Sequence, residues 1–414
     1  MFDALTRFLK RQKPNFKMLI FRDFFWLTIG TRPQASPQIQ GYQSLFLTRL
    51  GASPLDIGLI NSLLSLVTMV FSIPAGWFID RMRNMTTVYL MSSGLGLFHY
   101  LALAFAQSVP GVLLATMWKT LTDRVILPAK TILDVDALPN VDRVIGLSIH
   151  RTITAIGGII GPILVATILS SFGGLDTAES YRPLFLFQGI MNGVIVLLLW
   201  TKLDSVLFDR PTSHHGILHS FKALFQGSPA IQLFFIKDIV QTFFTLMVTP
   251  FLWIYQVDIK LATAIILGTM GAGEMIVDVF LSLPIGGVIA RFGRRRVAYF
   301  GHLVGFITRC VLFLTPQGHP EFLIIYSLLG SVEGCLYLGW DAFTQEIIPQ
   351  TMRGRYLGVR AVTVGVIGMV APIIGGLIWN INPDLLWWIN ALHWLFIAFP
   401  FLIILMEKYS KEQS

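Results

Sequence analysis

The sequence predicts an all-α membrane protein that crosses the bilayer twelve times and is built as two six-helix halves. Three observations lead to this fold class. The chain of 414 residues is 54% hydrophobic and only 13% charged, whereas soluble domains carry about 25% charged residues. Apolar runs of about 20 residues, enough to cross a bilayer as a helix, fill nearly the whole chain. Several residues also recur at one constant offset along the chain.

Twelve apolar runs are long enough to span the membrane. Several exceed the minimum length, so tilt or kinks are expected, and Pro33 and Pro37 should bend the first run. That run is too long for a signal peptide and lacks a small-residue cleavage site. The approximate limits of the twelve runs are 18–48, 54–79, 85–108, 109–137, 144–172, 181–201, 229–257, 261–290, 295–315, 320–347, 354–380 and 384–406.

The positions of Lys and Arg predict the orientation. One alternate set of loops and termini holds nineteen of these residues, whereas the other holds only Arg49, Arg182 and Lys260. Because basic loops stay in the cytoplasm, both termini are predicted to be cytoplasmic, in a plasma (inner) membrane protein. The predicted parts are a basic N-terminus (1–17), a first half (18–201), a central cytoplasmic loop (202–228), a second half (229–406) and a cytoplasmic tail (407–414).

Several function classes are disfavoured by the composition. The net charge of +8 is spread over short loops and forms no single basic face, so no nucleic-acid partner is predicted. Cys310 and Cys335 lie inside predicted spans as apolar thiols, and no Cys/His spacing indicates a metal. The histidines lack evident partners for a nucleophile or metal set, which argues against an enzyme; those considered are His99, His150, His214 and His215.

An internal repeat divides the chain. Ser72, Pro74, Gly76 and Arg81 in SIPAGWFIDR recur 210 residues later as Ser282, Pro284, Gly286 and Arg291 in SLPIGGVIAR. The same offset pairs Gly58 with Gly268, Asp123 with Glu333, and Pro162 with Pro372. One register that holds from the second to the fifth span indicates two copies of one unit. Both copies begin and end inside, so the predicted pseudo-two-fold axis runs along the membrane normal, an arrangement typical of alternating-access transporters.

These motifs resemble those of the major facilitator superfamily, and the resemblance covers the whole chain. In that family a motif close to G-x-x-x-D-R-x-G-R-R joins spans two and three, with an echo between eight and nine. The first copy keeps Gly76, Asp80 and Arg81, and the second keeps Gly286, Arg291, Gly293, Arg294 and Arg295. The fifth span matches a G-x-x-x-G-P-x-x-G-G pattern of proton-linked drug exporters at Gly157, Gly161 and Pro162, but Val165 and Ala166 replace its final glycines.

The resemblance implies a gating role for the first motif. Asp80 would contact a basic residue and the start of span eleven, bracing the outward-open state. An acid at this helix end needs a partner because the helix dipole disfavours it. The candidate partners are Arg81, Arg143, Arg353 and Arg355; the alternative is that the loop arginines only fix topology. Gly161, Pro162 and Pro372 are predicted to be close-packing and kink positions rather than ligand contacts.

Charges inside the spans point to a site. A charge that faces lipid at mid-bilayer costs about 3 kcal/mol or more, so these groups should face the protein interior. Charges near span ends are set aside, namely Arg22, Asp56, Asp136, Glu321, Glu346 and Asp384. The mid-depth set is Arg32, Lys119, Asp123, Arg124, Glu274, Asp278 and Glu333, with Lys237 and Asp238 about a third of the way in. The resemblance implies that spans one, four, seven and ten line a central cavity.

Substrate contact is predicted for Arg32, Gln38, Tyr42, Lys119, Arg124, Lys237 and Trp340. A guanidinium such as that of Arg32 can hold a carboxylate or phosphate through two hydrogen bonds, and the alternative is a structural ion pair. For Lys119 the alternative is a local salt bridge with Asp123, four residues away.

Proton carriage is predicted for Asp123, Glu274, Asp278 and Glu333. Glu274 and Asp278 are four residues apart, and two acids on one low-dielectric face repel, so one of them should take up a proton. The alternative for each acid is an ion pair with Lys119, Arg124 or Lys237.

The predicted function is a secondary active transporter of a small polar solute, anionic or zwitterionic, that works by alternating access as a monomer in the lipid bilayer. A proton or other ion gradient would drive it, since no Walker sequence is present, and no cofactor or metal is predicted. The alternatives are a proton-linked exporter of drugs or lipophilic cations, and a sensor or scaffold with a transporter-like fold that transports nothing.

Overall fold

Helices make up the part of the chain that the computed structural model describes, residues 11–31, 41–138, 143–207, 229–348 and 353–413. No strand forms in these residues apart from an isolated bridge between Asn84 and Leu207. The helices of the first half are α1 (Pro14–Thr28), α2 (Tyr42–Arg49), α3 (Pro54–Arg81), α4 (Met85–Phe105), α5 (Val109–Asp136), α6 (Arg143–Ser171) and α7 (Arg182–Lys202).

The helices of the second half follow the same pattern. They are α8 (Pro229–Val248), which continues through short turns to Ile259, α9 (Ala264–Phe292), α10 (Arg294–Leu314), α11 (Phe322–Ile347), α12 (Arg353–Ile381), α13 (Pro383–His393) and α14 (Phe399–Gln413). A π-helical turn, Trp394–Ala398, joins α13 to α14.

Local sequence signals set several of these boundaries. The side chain of Asn84 caps α4 by accepting a hydrogen bond from the backbone N–H of Thr87 at 3.1 Å. Gly293 ends α9 and precedes α10 with φ +84°, a left-handed conformation that glycine adopts without steric cost.

Ten helical segments of the described residues are long and apolar enough to cross a membrane, and each coincides with a predicted span. Large apolar side chains on their outer faces are exposed, as a lipid environment requires: Phe98, Phe105 and Phe280 expose 60%, 72% and 72% of their surface. The two other predicted spans are the first and the fourth. Residues 32–40 of the first lie outside the described residues, and α5, which forms the fourth, carries several charges. The all-α, multi-pass class is confirmed.

The chain packs into two compact units. Unit 1 comprises Met1–Pro37, Val70–Pro211 and Leu267–Ala272, and unit 2 comprises Gln38–Met69, Thr212–Ile266 and Gly273–Ser414. Each unit therefore holds most of one sequence half and a segment of the other half. Unit 2 includes α2 and the beginning of α3, whereas unit 1 includes a short part of α9.

Each unit has its own apolar core. In unit 1 the core joins α1, α4, α5 and α7 through fully buried side chains such as Tyr89, Leu133 and Leu199. In unit 2 it joins α8, α11, α12 and α14 through side chains such as Phe343 and Leu402. The charged groups considered next lie among these cores.

Candidate functional site

A cluster of five ionisable side chains lies in unit 1, between α1, α5 and α6. Asp23 accepts from Nε of Arg22 at 2.9 Å and lies 3.2 Å from Nζ of Lys130. Oδ2 of Asp23 also lies 2.9 Å from Nε2 of His150. Asp134 lies 2.8 Å from Lys130 and 3.5 Å from Arg22. The two acids thus bridge three basic groups from three helices.

Two sequence-based expectations about this cluster were wrong. Arg22 was set aside as a charge near a span end, but its side chain is 0% exposed and lies over the rings of Trp26 and Tyr89 at 5.1 and 5.3 Å. His150 was expected to lack a partner, yet it contacts Asp23. The contacts with Tyr89 on α4 and His150 on α6 depend on which face of α1 meets each helix, and hydropathy does not report this.

Three further charged residues that the sequence singled out lie nearer the beginning of α5. Nζ of Lys119 lies 2.5 Å from both carboxylate oxygens of Asp123, so the local salt bridge that the spacing allowed is present. Arg124 follows on the same helix and is partly buried. Lys119 also lines a small cavity inside unit 1, together with Tyr100 and Asn192.

Lys237 is a buried basic group of unit 2, with 2% of its surface exposed. Its ammonium donates to Oε1 of Gln241 at 2.6 Å and lies 3.8 Å from the ring centre of Trp340. Gln241 in turn donates to the hydroxyl of Tyr337 at 2.7 Å. Among the described residues, no carboxylate lies within ion-pair distance of this ammonium. Two residues of the predicted substrate set, Lys237 and Trp340, are therefore in direct contact.

Glu333, the repeat counterpart of Asp123, has an arginine from another helix as its partner rather than a lysine of its own helix. Glu333 on α11 forms an ion pair with Arg309 on α10 at 2.5 Å. The guanidinium also donates to the carbonyl of Gly305 at 2.7 Å and lies 4.0 Å from the ring centre of Trp394. Lys119, Arg124 and Lys237 were the partners named in the alternative to proton carriage, and none of them is the partner of Glu333.

Asp238 also has a basic partner, which comes from α12. Nε and Nη2 of Arg360 donate to its two carboxylate oxygens at 2.6 and 3.3 Å, and the hydroxyl of Tyr356 donates at 3.0 Å. This two-pronged arrangement is the strong form of an arginine–carboxylate contact.

Glu274 and Asp278 on α9 differ from all these acids. Ser327 hydrogen-bonds to the carboxyl group of Glu274, and the thiol of Cys335 lies 3.7 Å from Oδ1 of Asp278. Both side chains are partly buried. Neither forms an ion pair with a basic group in the part of the chain that the structure describes. The predicted acid pair therefore has only neutral, weakly donating neighbours there.

The remaining predicted substrate residues belong to the first apolar run. Arg32 and Gln38 lie outside the described residues. Tyr42 opens α2 and packs edge-to-face on Trp253 in unit 2, with ring centres 4.8 Å apart.

The gating motifs are described in part. The side chains of Asp80, Arg143, Arg353 and Arg355 lie outside the described set, so the predicted contact of Asp80 stays a prediction. Arg81 lies over the ring of Trp77 at 3.5 Å, and Arg291 over that of Phe292 at 5.4 Å. Gly76 and Gly286 lie in α3 and α9 with no heavy atom within 4 Å of an added Cβ, whereas Gly293 and Arg294 form the junction between α9 and α10.

Glycine and proline form two closely packed contacts that repeat at the sequence offset. In unit 2, a Cβ on Gly58 would lie 2.5 Å from the carbonyl oxygen of Pro372. In unit 1, a Cβ on Gly268 would lie 2.9 Å from the carbonyl oxygen of Pro162. Gly161 packs against the carbonyl of Leu27. The close-packing interpretation of Pro162, Pro372 and Gly161 agrees with this geometry.

The predicted site residues did not include three basic residues of unit 2, namely His302, Arg309 and His393. His302 and His393 are 1% and 3% exposed, and Arg309 pairs with Glu333. A sequence signal exists for all three, since each is a basic residue within an apolar run.

Comparisons with known proteins agree with this architecture. The sequence profile of the Major Facilitator Superfamily matches residues 39–277 and 239–414. An uncharacterized MFS-type transporter from Methanocaldococcus jannaschii is 20% identical over 354 residues, which cover 85% of this chain and 86% of the relative.

Solved structures show the same fold. A mutant of the nucleoside transporter NupG has a TM-score of 0.72 at 16% identity, covering 94% of this chain and 98% of its own. A POT family transporter in complex with 5-aminolevulinic acid has a TM-score of 0.69 at 12% identity, covering 96% of each chain. Since the family profile matches nearly the whole chain, this protein belongs to the Major Facilitator Superfamily and is an MFS-type secondary transporter.

Proposed function

We propose that this transporter moves a small anionic or zwitterionic solute by alternating access, coupled to a proton gradient. It would act as a monomer in the plasma membrane, with both termini in the cytoplasm and without a cofactor. The membrane assignment and the orientation rest on the excess of Lys and Arg in one set of loops.

The observation that carries proton coupling is the environment of Glu274 and Asp278. The acids Asp23, Asp123, Asp238 and Glu333 each have a basic partner within 4 Å, whereas this pair has none among the described residues. Two partly buried carboxylates one helical turn apart repel when both are ionised. A proton held by the pair removes that repulsion, which is the property that a proton carrier needs.

A charge argument supports the solute class. Lys237 is a buried ammonium without a carboxylate partner in the described part of unit 2, and a buried charge is costly unless it is paired. A solute carboxylate would supply the missing charge. Arg32, Gln38, Tyr42, Lys119, Arg124 and Trp340 are proposed as further substrate contacts, with Asp123 and Glu333 as secondary proton carriers.

The test is proton-driven transport by the purified protein in proteoliposomes, with a pH-sensitive dye inside the vesicles. A panel of amino acids, organic anions, sugars and lipophilic cations is added under an imposed pH gradient. We expect an anionic or zwitterionic solute to move protons. Accumulation of lipophilic cations alone would favour the drug exporter, and no flux with any solute would favour the non-transporting alternative.

Variants then separate coupling from binding. Glu274→Gln and Asp278→Asn should abolish proton movement and gradient-driven accumulation but keep solute exchange across the vesicle membrane, because exchange needs no net proton transfer. Glu321→Gln is the matched control, since Glu321 is an acid with a 58% exposed side chain that precedes α11. Proton flux equal to that of the wild type in both span variants would exclude these acids as the carriers.

The gating proposal needs its own variant. Asp80→Asn should slow transport while expression and melting temperature stay unchanged, because the acid would act on the equilibrium between states. Arg83→Gln, in the same loop but outside the matched motif positions, serves as control. Transport at the wild-type rate in Asp80→Asn would remove Asp80 from the gate.

A further inference from the structure

Helices α8, α10, α11 and α13 of unit 2 bring basic groups and aromatic rings together. The ring of His302 packs against Trp340 and Trp394, with centroid distances of 6.0 and 5.2 Å. Lys237 lies 3.8 Å over Trp340, and Arg309 lies 4.0 Å over Trp394. An ammonium, an imidazole and a guanidinium are therefore connected through two indole rings inside the helix bundle.

His393 on α13 adds a second imidazole to this group. Its ring stacks on Phe244 at 4.0 Å, and Phe244 lies two helical turns after Lys237 on the same face of α8. The ring is 3% exposed, and neither of its nitrogens forms a hydrogen bond with the described residues. His393 directly precedes Trp394, whose ring contacts His302 and Arg309. About 90% or more of buried polar groups have a hydrogen-bond partner, so His393 is suited to contact a ligand.

The hydrogen position on His302 follows from its neighbour. Nδ1 lies 3.0 Å from the carbonyl oxygen of Ala298. Because a carbonyl oxygen only accepts, Nδ1 carries the hydrogen, and Nε2 of the neutral ring is an acceptor. Nε2 is buried and has no partner among the described residues. The group therefore offers one acceptor beside the donors of Lys237 and His393.

Among the described residues, the charge balance of the group is positive. Glu333 neutralises Arg309 at 2.5 Å, and Asp238 is held by Arg360 at 2.6 Å. Lys237 donates to the neutral side chain of Gln241. A negative ligand group next to Lys237 would therefore be stabilised by an uncompensated charge in a low-dielectric interior.

We propose that Lys237, His302 and His393 form a binding site for a carboxylate that carries an adjacent hydrogen-bond donor, as in an α-hydroxy or α-amino acid. The carboxylate accepts from Lys237 and from the N–H of His393, while the hydroxyl or ammonium of the ligand donates to Nε2 of His302. This inference rests on the proposed function and narrows its solute class. It also extends the site beyond the predicted residues to α10 and α13.

The test is the melting temperature of the purified protein in detergent with sodium acetate, sodium glycolate or sodium chloride at equal ionic strength and pH. A ligand that binds the folded state raises the melting temperature by mass action. We expect acetate to raise it above the chloride value and glycolate to raise it further, because only glycolate has the hydroxyl donor. Lys237→Met and His393→Phe, which each remove a donor, should each abolish both increments.

Matched controls replace a lysine and a histidine outside the site. Lys408→Met, at an exposed position on α14, and His319→Phe, with a 63% exposed side chain at the native histidine, should keep the wild-type response. Melting temperatures that do not rise above the chloride value in the wild type would overturn the proposal. So would increments that persist in both Lys237→Met and His393→Phe. Equal responses to glycolate and acetate would remove His302 from the site.

The melting-temperature experiment and the transport test of the proposed function can have opposite outcomes, because they measure different properties. Binding is measured in detergent without a gradient, whereas coupling is measured as proton flux across a vesicle membrane. Loss of the anion response with intact proton flux would overturn the site alone. An intact anion response with no solute-dependent proton flux would overturn the coupling alone.

Discussion

Asp23→Asn is expected to remove a large part of the stability of unit 1. The carboxylate lies 2.9 Å from Arg22, 3.2 Å from Lys130 and 2.9 Å from His150, and its side chain is 13% exposed. The amide of asparagine keeps the shape but leaves the two cations to share Asp134. Removing one partner of a buried ion pair costs about 3–5 kcal/mol, so we expect the free energy of unfolding to fall by about that amount.

Reversible unfolding in mixed detergent micelles measures this loss. The double variant Arg22→Met/Asp23→Leu should recover most of it, because apolar replacement of both partners of a buried pair is often neutral or stabilising. Glu179→Gln is the control, since Glu179 pairs with Arg182 at 2.8 Å but its side chain is 78% exposed. Exposed pairs contribute about 0.2–1 kcal/mol. A loss in Asp23→Asn as small as in this control would refute the argument from burial.

Two further predictions concern packing and pH. Gly58→Ala and Gly268→Ala should lower the melting temperature, since overpacking costs about 1–3 kcal/mol, whereas Gly94→Ala, whose Cβ meets nothing within 4 Å, should not; equal losses in all three would contradict this. Burial lowers the pKa of Lys260, which follows the span ending at Ile259, against the opposing attraction of Asp384. At pH values between the lowered pKa of Lys260 in the folded protein and the ordinary pKa of a lysine in the unfolded chain, the unfolded chain binds more protons. The free energy of unfolding should therefore rise with pH in this range. Lys260→Gln should flatten the rise in melting temperature over that alkaline range, and an unchanged slope would count against this origin.

The fold was predictable because the ability of a helix to cross a membrane depends mainly on how apolar and how long the segment is. Ten predicted spans coincide with apolar helices of the structure. Pairs within one helix were also readable from spacing: Lys119 with Asp123, and Lys130 with Asp134, are four residues apart and in contact.

Contacts between helices were not predictable in the same way. Arg309 meets Glu333, and His150 meets Asp23, because two helices turn particular faces towards each other. In a membrane helix the lipid-facing and core-facing residues are both largely apolar. A single sequence therefore indicates only roughly which face of the helix packs against its neighbours. The repeat identified Gly58 with Gly268 and Pro162 with Pro372 as equivalent positions. It did not indicate that each glycine contacts the proline of the other copy.

The two glycine–proline contacts bear on how the chain can be engineered. Gly58 meets Pro372, and Pro162 meets Gly268, so each copy of the repeat supplies one glycine and one proline. Reciprocal exchange of this kind is the signature of an isologous interface, in which residue i meets j and j meets i. In these two contacts the copies of the repeat have the same reciprocal roles as the two subunits of a homodimer. A change designed for one contact therefore has its counterpart 210 residues away, and the two are best introduced together.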